Sequence, residues 1–98
     1  MSSRNVYLTP EQRAEAPALY RSLLMARSTI ERGERHAAKV KAAMRRMIGR
    51  ESSGRIDYVE MVDTDELRPV RIIKGETLVA LAVFFGKTRL IDNTVIDV

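Results

Sequence analysis

Apolar positions recur every three or four residues through the first half of the chain, then alternate or run together through the second. Ala16, Leu19, Leu23, Ala26 and Ile30 share one helical face, with Tyr20 and Leu24 widening the stripe. Thr9, Pro10 and Gln12 read as the cap, first helical residue and capping-box partner of that helix. Gly33 should end it as a left-handed cap residue. Pro17 interrupts the pattern and should kink the first turns or leave a backbone carbonyl unpaired. A second helix is expected over 34–48, closed by Gly49, because Ala37, Val40, Met44, Met47 and Ile48 fall on one arc. Two serines and two glycines within 49–55 predict a surface loop.

The period then changes. Residues 56–63 alternate imperfectly and predict a strand. Residues 64–67 predict one helical turn capped by Thr64, and Pro69 forces an extended exit. The continuous apolar run 78–85 suits a strand covered on both faces. Gly86-Lys87 is a tight turn into a third strand near 88–92. The expected fold is α+β, with two main helices packed on a small three-stranded antiparallel sheet, in a single domain over 1–98. No internal repeat or low-complexity tract occurs.

Composition narrows the function. An apolar fraction of 45% beside 31% charged residues is ordinary for a globular chain. The formal charge is +4, with thirteen arginines to four lysines, which favours anionic partners. Without cysteine there is no disulfide, thiolate metal site or thiol nucleophile. No run is long enough to span a bilayer and no signal-like segment opens the chain, so a cytoplasmic location is expected.

Few motifs carry chemistry. Gly86-Lys87-Thr88 resembles the end of a P-loop, but Leu81 stands where the motif needs glycine, and a hairpin explains the stretch better. His36 is the only histidine and has no second histidine or cysteine to complete a transition-metal site. A strand and an acidic turn account for Asp57, Glu60, Asp63, Asp65 and Glu66. No nucleophile, base and orienting group assemble, so no catalytic residue and no metal ligand is assigned. Lys39, Lys41, Arg45, Arg46 and Arg50 make the helical segment 34–50 basic. One reading lays it on a nucleic-acid backbone; the other is a solvated face around a buried stripe. Sparse aromatics weigh against nucleic acid.

The opening residues remain. Ser2, Ser3, Arg4 and Asn5 put two hydroxyls and a guanidinium in one extended segment, a set that can wrap a phosphate. The alternative is a loose terminus.

Three stretches, taken in order, carry a resemblance: Met1 to Asn5 (Met-Ser-Ser-Arg-Asn), Ile56 to Asp63 (Ile-Asp-Tyr-Val-Glu-Met-Val-Asp) and Gly86 to Asn93 (Gly-Lys-Thr-Arg-Leu-Ile-Asp-Asn). Together the chain resembles the C-terminal domain of the pantoate–β-alanine ligase family, covering nearly all of this chain but only the last third or so of that enzyme. The resemblance implies that pantoate is activated by ATP with Mg²⁺ to pantoyl adenylate, which β-alanine attacks to give pantothenate and AMP. It implies that Met1, Ser2, Ser3 and Arg4 belong to the ATP site, Ser2, Ser3 and Arg4 contacting phosphates. It also implies a lid over an N-terminal nucleotide-binding domain absent here, through which pantoate and β-alanine would be met. The family dimerises through that domain. The isolated chain is therefore expected to be a monomer, to bind ATP weakly and not to catalyse ligation.

Overall fold

A computed structural model describes residues 8–98 of the chain. Three helices, α1 (Pro10–Glu15), α2 (Pro17–Glu31) and α3 (Ala37–Glu51), precede three strands, β1 (Arg55–Asp63), β2 (Glu76–Phe85) and β3 (Thr88–Asp97). The strands form an antiparallel sheet in the order β1-β2-β3. Two main helices on a three-stranded antiparallel sheet is the expected α+β arrangement.

The first helix differs in one respect. Pro17 divides it: α1 ends before Ala16, and α2 restarts with Pro17 at its first position. A proline there has no N–H to give the preceding turn, so a new helix start is the least costly solution. Thr9 and Gln12 form the expected capping box, with Thr9 N donating to Gln12 Oε1 at 3.0 Å and Gln12 N to Thr9 Oγ1 at 3.2 Å. At the other end Gly33 N donates to Ile30 O and Glu34 N to Thr29 O, with Gly33 at φ +116°. That paired pattern needs a left-handed residue, which glycine supplies without steric cost.

α3 starts three residues later than expected and continues through Gly49 and Arg50 to Glu51. Gly49 does not stop it because tertiary contacts outweigh the ~1 kcal/mol propensity cost of a helical glycine. Ile48 is fully buried on one side of that glycine, and Glu51 bonds Arg21 of α2 at 2.8 Å on the other. Only Ser52 to Gly54 remain as the connection to β1. A Cβ on Gly54 would collide with Val83 Cγ1, so the chain passes this close to β2 only with glycine.

The core lies between the helices and one face of the sheet. Leu19, Leu23, Ala26 and Ile30 of α2 and Val40, Met44 and Ile48 of α3 meet Val59 and Met61 of β1, Val79, Leu81 and Val83 of β2, and Leu90 and Ile96 of β3. One β2 residue on that face is polar. Thr77 is fully buried, and its hydroxyl has no hydrogen-bond partner among the described residues. An unpaired buried hydroxyl costs stability, whereas a methyl of the same shape does not. Thr77→Val should therefore raise the unfolding free energy by about 1 kcal/mol, read as a higher urea midpoint; an unchanged or lower midpoint would contradict this account.

The other face of β2 is not covered as the apolar run suggested. Leu78, Ala80 and Phe84 are only half-buried, and no helix packs there among the described residues. Neighbouring strands shield this face instead. Ala82, for example, is buried between Tyr58 and Ile91, its partners in the two ladders.

The expected turn at 64–67 is present, with a different cap. Asp63, not Thr64, satisfies its amides: Glu66 N and Arg68 N donate to the Asp63 carboxylate at 2.6 and 3.1 Å. Thr64 Oγ1 instead donates to Glu76 Oε1 at 2.7 Å. Leu67 closes the turn at φ +58°, the one non-glycine in the left-handed region among the described residues. These amides, Glu66 N foremost, hold the Asp63 carboxyl below its ordinary pKa. A carboxyl depressed on folding stabilises the protein above its unfolded pKa, and that contribution is lost as pH falls through the folded value. The stability gap between the native chain and Asp63→Ala should accordingly be full at neutral pH and close in acid. Urea titrations of both chains through the acid range check this, and a gap independent of pH would count against it.

Candidate functional site

α1 sits at one end of the sheet, against the β1 approach and the β2–β3 turn. Glu15 Oε2 accepts the Ser53 hydroxyl at 2.9 Å, and Gln12 Nε2 lies 3.4 Å from the Cβ position of Gly86. Leu8, immediately before the Thr9 cap, is buried in the core. Met1, Ser2, Ser3 and Arg4 lie outside the described residues.

The same end carries a row of cations on the outer face. Phe84 pairs with Arg55 of β1 and Arg89 of β3, and both guanidinium groups lie over its ring, at 4.7 and 6.0 Å from the centroid. Arg89 also lies 5.6 Å from the centre of Tyr58 and donates through Nε and Nη2 to Asp57 Oδ2, at 3.0 and 2.9 Å. The β1 register shifts between Ile56 and Tyr58, so Asp57 stands at a bulge. A bulge re-aims a side chain, which suits a carboxylate reaching across the central strand. Lys87 adds an exposed cation at the hairpin tip, where Gly86 holds φ +63°.

Two of the motif stretches thus touch. Asp57 and Tyr58 come from the second, and Arg89 comes from the third. Sequence reasoning treated Asp57 as one of several strand carboxylates and assigned Arg89 no role. The cue was there in principle: opposite charges on strands flanking an aromatic, brought together once the meander register is known.

The other sequence candidates resolve simply. His36 is exposed, and its Nδ1 lies 3.3 Å from Glu34 Oε2. Glu34 also accepts the backbone N–H groups of Arg35 and His36, and the His36 amide chiefly keeps its pKa below the ordinary value. This is a turn leading into α3. Along α3, Ala37, Val40, Met44 and Ile48 form the buried stripe, with Lys39, Arg45, Arg46 and Arg50 exposed around it. Among the described residues no cluster of histidine and carboxylate groups could hold a metal ion. None of their helices is long and apolar enough to cross a membrane.

Comparison with known proteins gives one consistent result. The model of the family described as pantoate-beta-alanine ligase matches residues 1–95. The pantothenate synthetase of Caldicellulosiruptor saccharolyticus is 49% identical over 98 residues, which is all of this chain and 35% of that protein. The pantothenate synthetase of Thermotoga neapolitana is 52% identical over 96 residues, covering 98% of this chain and 34% of the relative. The crystal structure of pantothenate synthetase from Thermus thermophilus superposes with a TM-score of 0.86 at 36% identity, over 96% of this chain and 34% of that one. The chain thus spans about a third of the length of these relatives. With nearly every residue inside the family match and the same strand-and-helix arrangement in a solved homologue, this chain belongs to the pantoate–β-alanine ligase family.

Proposed function

We propose that this chain is the ATP-site lid of an enzyme that joins pantoate to β-alanine through pantoyl adenylate. The observation that carries this reading is the family match over residues 1–95, which includes Met1 to Arg4. Ser2 and Ser3 donate hydroxyl hydrogen bonds to the phosphates of ATP, and Arg4 grips two oxygens with its planar fork. Adenylation moves negative charge onto the departing pyrophosphate. Donors aimed at those oxygens therefore lower the barrier most once the charge has developed.

Several features favour this role. Leu8 is buried and Thr9 caps the start of α1, so the described chain begins packed against the domain. Arg55, Lys87 and Arg89 gather at one end of the sheet, and that concentration of positive charge suits a polyphosphate. Phosphate donors on a closing loop would add their stabilisation after ATP enters. Mg²⁺ bound together with ATP would neutralise phosphate charge.

The pantoate pocket, the remaining nucleotide contacts and the ligase's dimer contacts belong to the two-thirds of the relatives that lies outside this match. Mixing this chain with that portion of the Thermotoga neapolitana enzyme, or fusing the two, should restore ATP- and β-alanine-dependent pantothenate formation with release of AMP. This chain alone should show no turnover. Turnover by the chain alone, or a well-folded fusion that forms neither adenylate nor pantothenate, would overturn the reading.

A further inference from the structure

A groove runs between α2 and β3, and two opposite charges stand in it without meeting. Leu23, Leu24 and the ring of Tyr20 form its apolar wall, and Arg27, Asp92 and Thr94 supply its polar side. Its volume of about 170 Å³ suits a few waters or one small organic molecule.

The two charges are held apart by their own bonds. Arg27 Nη2 donates to Thr94 Oγ1 at 2.8 Å and to Val95 O at 3.2 Å, which fixes the guanidinium beside Thr94. The N–H groups on its Nε and Nη1 have no acceptor among the described residues. Asp92 lies on the same face of β3 as Thr94, two positions earlier and so about 7 Å along the strand. Its Oδ1 accepts the Asn93 N–H at 2.8 Å, and its Oδ2 has no donor among the described residues. None of the ion pairs among the described residues includes either side chain. Both are half-buried, so each loses hydration without gaining a counter-charge.

This arrangement selects by charge and by length. A simple anion drawn to Arg27 meets the Asp92 carboxylate nearby, and a simple cation drawn to Asp92 meets Arg27. A molecule bearing both charges at the ends of an apolar stretch satisfies the whole groove. We propose that the groove binds a short unbranched ω-amino acid as its zwitterion. The ligand carboxylate accepts from Arg27 Nε and Nη1, and the ligand ammonium donates to Asp92 Oδ2. Its methylenes lie along Leu24 and Tyr20, which are 45% and 56% exposed and so offer apolar surface to cover. An α-amino acid has one carbon between its charges and cannot reach both side chains across a spacing of about 7 Å. β-Alanine, the amine of the proposed ligation, belongs to this class. Binding here needs no part of that reading, because it is measured without ATP, pantoate or turnover.

NMR titration of this chain labelled with ¹⁵N tests the site. β-Alanine and γ-aminobutyrate should shift the Arg27 Nε signal and the amides of Asp92, Asn93 and Thr94 saturably at millimolar concentration, the longer ligand binding more tightly. Alanine, propionate and propylamine, which lack either the span or one charge, should each bind at least about tenfold more weakly. Asp92→Asn keeps the acceptor for the Asn93 amide and loses the counter-charge. It should weaken both ω-amino acids about tenfold while leaving the weak binding of propionate unchanged. The dispersion of each spectrum shows whether the variant is folded; if Asp92→Asn is not, the ligand series alone decides. Absence of a saturable shift, alanine or propionate binding as tightly as the ω-amino acids, or a folded Asp92→Asn chain with undiminished affinity would each overturn the proposal.

Discussion

Replacing Leu81 by alanine is expected to lower the unfolding free energy by about 2–5 kcal/mol, the range for emptying a fully buried leucine site. Leu81 is fully buried in the middle of β2, on the face that the helices cover, with Val59 and Asp92 as its cross-strand partners. Strands on both sides hold the backbone in register, so the site cannot collapse onto the missing atoms and a cavity remains. A domain of this size has only about 5–15 kcal/mol in total. The loss should therefore lower Tm by roughly 10 °C or more. Leu78→Ala is the internal comparison, since Leu78 lies on the opposite, half-open face of the same strand. It should cost less than half as much. Equal losses at the two positions, measured by urea unfolding, would mean that the outer face is packed as tightly as the inner one.

The largest expected effect on activity is at Arg4, in the fusion with the remainder of a ligase. Arg4→Ala should reduce kcat by about 10²–10³, the cost of losing one donor aimed at developing charge. KM for ATP should change only a few-fold. An interaction made fully only as pyrophosphate departs depresses kcat and spares ground-state binding. Arg4→Lys keeps the charge but loses the fork, so it should recover part of the rate. A variant that raised KM alone would place Arg4 in substrate binding and remove it from the rate-accelerating step.

Much of the fold was legible because local and tertiary preferences agree. The α2 stripe, its Gly33 terminus, the Thr9 capping box and the Gly86-Lys87 turn each have one residue type whose geometry suits the site. The misread positions are those where distant packing outweighs local preference. Gly49 reads as a stop, yet Ile48 and the Glu51–Arg21 bond carry α3 past it. β3 reads as ending near Asp92, yet it continues to Asp97 with Asp92 and Thr94 on the helix-facing side. Polar residues are tolerated there because α2 leaves a groove above them, where Arg27 bonds Thr94. The opposite charges of Asp57 and Arg89 became a readable pair only with the register in hand, because their contact depends on a bulge and on two ladders. The phosphate-binding assignment of Met1, Ser2, Ser3 and Arg4 rests on residue chemistry and family resemblance.

The strand order has a kinetic consequence. Each strand pairs only with its neighbour in sequence, and β2 and β3 are separated by Gly86 and Lys87 alone. Closing so short a loop costs little chain entropy, so this hairpin can form early. β1 must bridge the connection that carries the Asp63 turn before it can join. The transition state for folding should therefore contain the β2–β3 hairpin, with β1 and α3 consolidating on it afterwards. Substitutions along β1 would then act mainly by speeding unfolding, and those at the β2–β3 turn by slowing folding.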